Sequence, residues 1–246
     1  MNQVIATPSP DSKKKQYRFS KRGDSGGCNF DPERGTFQSY STNVGERKIG
    51  DKPFIFLYKG PINQQGPRTT VLAAGRLQTS AAFKIYLGDP KSDYSDYNKS
   101  LAWEAMDIER PESTWSLDFP DYDLRREFVW KKTKHIAVDG VDKPSRLLAR
   151  NWKLTSKNDP DDILAVFTGD SGFSRGRGIL QINVDWGAHF EHMVLMTLVC
   201  QFLKHKQPSR QGNGVFVPPL RWVRHFKALD IKLSYERLSG IYESKI

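Results

Sequence analysis

Gly23-Asp24-Ser25-Gly26-Gly27 sets a serine among glycines beside an aspartate, the surroundings of a nucleophile in Ser-His-Asp hydrolysis. Gly169-Asp170-Ser171-Gly172 nearly repeats it. That chemistry needs an imidazole to take the serine proton and a carboxylate to orient the imidazole, both earlier in the chain for this string. No histidine precedes Ser25, and only His135, in the polar run TKHIAVDG, precedes Ser171. Both strings therefore read as turns, for which Gly, Asp and Ser are the preferred residues. His189 and His192 share a helix face at a spacing of three, with Glu191 between them. A zinc site needs a third protein ligand, which no paired Cys or His cluster supplies. Two acid clusters, Asp118/Asp121/Asp123 and Asp159/Asp161/Asp162, lack the alternating ligands, the glycine and the closing glutamate of a calcium loop. There is no phosphate-cradling glycine loop and no dinucleotide fingerprint. Arg175 and Arg177 sit in what reads as a hairpin tip. The expectation is a non-enzyme with no catalytic residue, no metal and no cofactor.

The C-terminal tail offers the best remaining surface. Leu220, Val223, Phe226 and Leu229 fall on one helical stripe with Trp222 beside it, and Arg221, Arg224 and Lys227 flank it. A basic amphipathic helix bordered by an aromatic suits an anionic membrane surface or the groove of a protein partner. It equally suits docking on the outside of the chain's own fold. The candidate binding residues are Arg221, Trp222, Arg224, Phe226 and Lys227.

The formal charge of +10 resembles a nucleic-acid signature until it is divided along the 246 residues. Residues 1–22 carry +5 and residues 204–246 carry +6, so the body between them is close to neutral at −1. A neutral body weakens the case for a phosphate-tracking groove, leaving nucleic-acid association through the tails as the lesser reading. Lys13 to Lys15 with Lys21 and Arg22 fit a solvated basic arm or a nuclear import signal. The opening MNQVIATPSPDSKKK has no apolar core, and no apolar run of 18 residues occurs. These features place the chain in the cytoplasm, with membrane-peripheral and nuclear locations open. Cys28 lies in a Gly-rich leader and Cys200 in an apolar helix, so two free thiols are expected, Cys28 accessible and Cys200 protected.

The elements follow from periodicity. FEHMVLMTLVCQFLKHK, Phe190–Lys206, is apolar on almost its whole circumference, with Thr197 and Gln201 as a thin polar seam. At roughly 25 Å it is a buried core helix, too short in its uncharged part to span a bilayer. Before it come strand signals at Phe54–Tyr58, Thr70–Arg76, Ala81–Leu87, Leu101–Ile108, Trp115–Phe119, Arg125–Lys132, Leu147–Thr155, Ile163–Phe167 and Ile179–Val184. Earlier candidates are Tyr17–Phe19 and the stretch from Phe37 to Glu46. Short connections exclude parallel crossover units. A helix apolar on all sides needs strands on all sides, so a mainly β, closed antiparallel barrel around the helix is predicted. Residues 1–50 read as a flexible basic, Gly-rich leader with first strands, 51–206 as barrel with its central helix at 190–206, and 207–246 as the basic tail.

One Trp strand (REFVWKK), a second (ARNWKLTS), DILAVFTGD, a Gly/Arg hairpin, GILQINVDWG and the apolar helix follow in that order. This order resembles fungal relatives of the tubby C-terminal and LURP-one-related domains, well over 124–206 and loosely over 53–120. The resemblance implies about twelve strands around a central C-terminal helix, and a module that binds a phosphoinositide-type membrane lipid or a protein partner. The chain departs from it by continuing some forty residues past the helix. The family's lipid-binding motifs have no match here, so no ligand residue is carried over.

Overall fold

The computed structural model describes residues 14–22, 26–61, 69–93, 102–109, 111–119, 123–141, 151–170 and 177–204. All belong to the first of two compact units, Met1–Lys206; the second, Gln207–Ile246, lies outside the described residues. Twelve strands follow in chain order: β1 Lys15–Lys21, β2 Cys28–Pro32, β3 Tyr40–Val44, β4 Ile55–Lys59, β5 Val71–Leu77, β6 Ala82–Leu87, β7 Glu104–Ile108, β8 Glu112–Phe119, β9 Leu124–Lys132, β10 Asn151–Ser156, β11 Ile163–Gly169 and β12 Arg177–Ile182. A short helix α1, Pro90–Asp93, lies between β6 and β7, its start capped by Asp89 Oδ1 on the Lys91 amide at 2.9 Å. Each strand pairs antiparallel with its neighbours in sequence, and β1 pairs with β12 from Lys15↔Ile182 to Ser20↔Arg177, which closes the barrel.

Helix α2, Gly187–Lys204, fills the interior, with every residue from Phe190 to Leu203 buried. Eight strands close on an interior that side chains can fill, so a twelve-stranded wall leaves room for more, here a helix. Alternation along the strands supplies the lining. Tyr17 and Phe19 of β1, Ile55 and Leu57 of β4, Phe83 and Ile85 of β6, and Phe128 and Trp130 of β9 are all buried. The rings of Phe19, Trp152 and Phe167, from β1, β10 and β11, surround Phe202 at centroid distances of 4.5–5.4 Å. Phe128 and Trp115 meet Phe190 at 5.4 and 6.1 Å. On the opposite side the wall thins to Ala73 and Gly75 of β5. A Cβ at Gly75 would lie 3.1 Å from the Met196 methyl and 3.3 Å from Ile55, so the missing side chain is the space the helix uses. Thr197 is satisfied inside the core: its hydroxyl accepts the Trp130 indole N–H at 2.9 Å and donates to the Val194 carbonyl at 3.1 Å.

Three strands, β1 to β3, lie within residues 1–50, the stretch read as a leader, so much of it is barrel wall. β2 has no counterpart among the expected strands. It is five residues long, ends in Pro32 and turns only Cys28 and Phe30 inward. Cys28 is consequently buried, against the expectation of an accessible thiol, and burial pushes its pKa up to about 12. Burial raises Cys200 as well, and both cysteines are free. The loop after β9 runs up the outside of β11 and β12. It is held by the Val138 amide on Thr168 Oγ1 at 3.0 Å and the Asp139 amide on Gln181 Oε1 at 2.9 Å. No described helix is long and apolar enough to cross a membrane.

Leu198 is fully buried, and an unpaired carboxylate there costs several kcal/mol, comparable with the stability of a whole domain. Leu198→Asp is expected to leave no soluble folded protein. Thr197→Val keeps the shape but strands the Trp130 N–H and should cost about 1–3 kcal/mol in urea unfolding. Wild-type unfolding curves for Leu198→Asp would exclude an interior helix. The thiols give an independent check: in native buffer a thiol reagent should modify neither cysteine quickly, and both after denaturant is added. Fast native modification of either contradicts the placement of its strand or helix.

Candidate functional site

The antiparallel meander gives the barrel two distinct ends. At the near end, where α2 begins, lie the connections β2–β3, β4–β5, β6–β7, β8–β9, β10–β11 and β12–α2. Their described residues carry Glu33, Asp89, Asp123, Asp159, Asp161, Asp162 and Asp185 against Arg34, Lys91 and Lys157. At the far end α2 finishes beside the β1–β2, β3–β4 and β7–β8 connections, with Lys204 Nζ on the Ile108 carbonyl. Across the described far-end connections Lys21, Arg22, Arg47, Lys48, Lys52, Lys134 and Lys204 outnumber Glu46, Asp51, Glu109 and Asp170. Acids beside a helix start and bases beside its finish both complement the helix dipole.

The near end holds the most densely bonded polar group, centred on Glu191. Its carboxylate accepts the Tyr17 phenol O–H and a Lys15 Nζ proton at 2.8 Å, and Asp185 lies 3.6 Å from the same ammonium. Burial opposes the charge on Lys15, but the hydrogen bond and charge of Glu191, with help from Asp185, raise its pKa. Burial, then Glu191, pushes both Tyr17 and Tyr40 up, so the phenols stay protonated as donors. His192 stands edge-on to Tyr40 at 5.6 Å, and burial lowers its pKa to about 4, keeping the imidazole neutral. Next to this group Arg126 lies over the rings of Trp186 and Phe119, at 4.8 and 5.9 Å, and covers the aromatic start of the core.

The sequence brought His189, Glu191 and His192 together as metal candidates. The structure separates them: His189 is exposed, Glu191 is turned to β1, and His192 to β3. Among the described residues no group of three or more His, Cys, Asp or Glu is placed to hold a metal ion. Lys14 and Lys15, read as one basic arm, part company as well. Lys14 meets Asp139 of the outer loop at 2.7 Å, and Lys15 meets Glu191. Asp118 is taken by Arg125, which also clamps Glu104 at 2.6 Å across β7, β8 and β9. Asp159 caps the Asp162 amide at 3.3 Å. Ser25, Ser171, Asp121 and Arg175 lie outside the described residues, as do all five tail candidates, Arg221, Trp222, Arg224, Phe226 and Lys227.

Comparison of the chain with protein-family models, with curated proteins and with solved structures found no match.

The Glu191 group is a structural anchor with a pH signature. An unfolded His192 takes up a proton below about 6.5 and the folded one only near 4, so the unfolded state binds more protons in that window. His192 therefore contributes stability that is present near pH 7 and is lost as the pH falls from about 6.5 toward 4. Urea unfolding between pH 7 and 4.5 should show wild type losing roughly 2–3 kcal/mol more than His192→Leu. Identical losses in the two proteins would mean that the imidazole is not buried in its neutral form.

Proposed function

We propose that this chain is a non-enzymatic binding module of the tubby-like, LURP-one-related type. It meets an anionic membrane surface, of the phosphoinositide kind, and two separate candidates for that contact are the basic side of the barrel's far end and, by its sequence alone, the segment Leu220–Leu229. Twelve strands around one buried helix is the architecture that resemblance implies, which supports reading the chain as a fungal-like member of the group. With α2 occupying the interior, the outside of the barrel is the surface open to a partner.

The observation that carries the membrane reading is the concentration of Lys21, Arg22, Arg47, Lys48, Lys52 and Lys204 where α2 finishes. The sequence continues from this end into residues 205–246, which hold most of the C-terminal positive charge. Each basic group close to an anionic surface adds on the order of 1 kcal/mol, so several acting together give useful affinity that falls with salt. Trp222 and Phe226 would add apolar contact at the headgroup boundary, with Arg221, Arg224 and Lys227 on lipid phosphates.

The test is co-sedimentation of the full chain with vesicles of phosphatidylcholine alone and with added phosphatidylserine or phosphoinositide. Binding should require the anionic lipid and weaken as salt rises. Replacing Arg221, Arg224 and Lys227 by Gln should weaken it at least about tenfold. Equal binding to neutral vesicles, or no binding to anionic ones, overturns the membrane reading and returns attention to a protein partner. Binding to DNA without binding to lipid favours a nuclear role through the basic tails.

A further inference from the structure

The β3–β4 connection, Gly45 to Phe54, lies at the far end and is hydrogen-bonded back to the barrel and to α2. The Gly45 amide donates to the Phe54 carbonyl at 2.7 Å, and the Phe54 amide donates to the Gly75 carbonyl at 2.9 Å. The Gly50 amide donates to the Leu77 carbonyl at 3.1 Å, alongside a bridge pairing Ile49 with Leu77. Arg47 Nη1 donates to the Leu203 carbonyl at 3.1 Å, tying the loop to the last turn of α2. Gly50 has a φ of 146°, which L side chains rarely adopt, so glycine suits the position directly after Ile49.

The product of this bracing is an isoleucine aimed at solvent. Ile49 is 65% exposed, and among the described residues it is the one large apolar side chain in the exposed class. Its neighbours in the loop are Arg47, Lys48 and Lys52. Of the two acids there, Asp51 is engaged by Arg76 at 2.6 Å and Glu46 by Lys48 at 2.8 Å. The Lys48–Glu46 pair is exposed on both sides and so is weakly held, which leaves Lys48 able to exchange its carboxylate for a lipid phosphate. An exposed apolar side chain with lysines beside it in a hydrogen-bonded loop is an arrangement that interfacial binding uses: the apolar tip enters the headgroup layer while the cations stay at the phosphates.

We propose that the loop Gly45–Phe54 is a membrane-contact tip, which inserts Ile49 into the headgroup layer of an anionic bilayer with Lys48 and Lys52 on lipid phosphates, while Arg47 holds the loop to α2. This rests on the membrane reading above and adds to it a site on the barrel itself, independent of the tail. Charge complementarity selects the partner: an apolar contact alone would serve a protein equally, but Lys48 and Lys52 on either side of the apolar tip, with the loop's acids engaged by Lys48 and Arg76, match a sheet of phosphates.

The buried thiols make the test specific. Because Cys28 and Cys200 are inaccessible, an environment-sensitive thiol dye on the full-length Ile49→Cys variant reports from the loop alone. The same dye on His189→Cys, exposed at the near end, is the control. On phosphatidylcholine vesicles containing phosphatidylserine, the Ile49→Cys label should shift to shorter wavelength and be quenched by a shallow spin-labelled lipid. The His189→Cys label should not respond. In co-sedimentation Ile49→Asp should bind about tenfold more weakly than wild type with an unchanged melting temperature. If the full chain binds anionic vesicles while the Ile49→Cys label stays silent, or both labels respond alike, the loop proposal is overturned and the tail reading stands. If the full chain binds no anionic vesicle, both fall together.

Discussion

A helix apolar around almost its whole circumference cannot be stable in water or against a single flat layer, and that constraint organises the molecule. Each apolar side chain from Phe190 to Leu203 needs an apolar neighbour, whichever way it points. A closed wall of strands is the arrangement that gives one everywhere, and in closing it removes the strand edges that would otherwise invite aggregation. The dependence is mutual. A twelve-stranded antiparallel ring is too wide for its own side chains to fill, so wall and helix each supply what the other lacks. The large rings of β1 and β8 to β11 fill one side, and the small residues of β5 let the helix lie close on the other.

Apolar contact alone would let such a helix slide or turn, and the polar groups inside the barrel remove that freedom. Trp130 with Thr197 fixes the middle of α2, the Tyr17–Glu191–Lys15 group fixes its start, and Arg47 on the Leu203 carbonyl fixes its finish. Each bond is directional, so together they specify one rotation and one depth. The charges at the barrel ends act in the same sense, with acids gathered around the positive end of the helix and bases around its negative end.

Most of the fold was legible in the chain because it is built from repeating patterns. Trp115, Leu117 and Phe119 alternate with polar residues, and Met193 to Leu203 are apolar with almost no break, so periodicity gave both strand and helix. β2 escaped because Cys28 and Phe30, two inward side chains among polar neighbours, are too few to make a period. The polar anchors escaped for a different reason. Glu191 follows His189 closely in sequence but is bonded to Lys15 and Tyr17 at the opposite extreme of the barrel's chain. Only the closing of β1 against β12 brings them together, and no local pattern records that. Ile49 was invisible on the same ground: a lone isoleucine between Lys48 and Gly50 reads as ordinary loop until its exposure is known.

The seam between β1 and β12 also bears on how the protein is made. Synthesis delivers β1 first, yet its outer partner β12 and the helix that fills the ring arrive last, with Lys15 waiting for Ile182 and for Glu191. Until then a growing sheet has two unpaired edges and an uncovered apolar face, a state prone to sticking to its neighbours. Contacts between such distant parts of a chain form slowly, since a long loop must be closed before they yield any stabilisation. A nascent chain of this design keeps apolar surface exposed until nearly the whole barrel has left the ribosome.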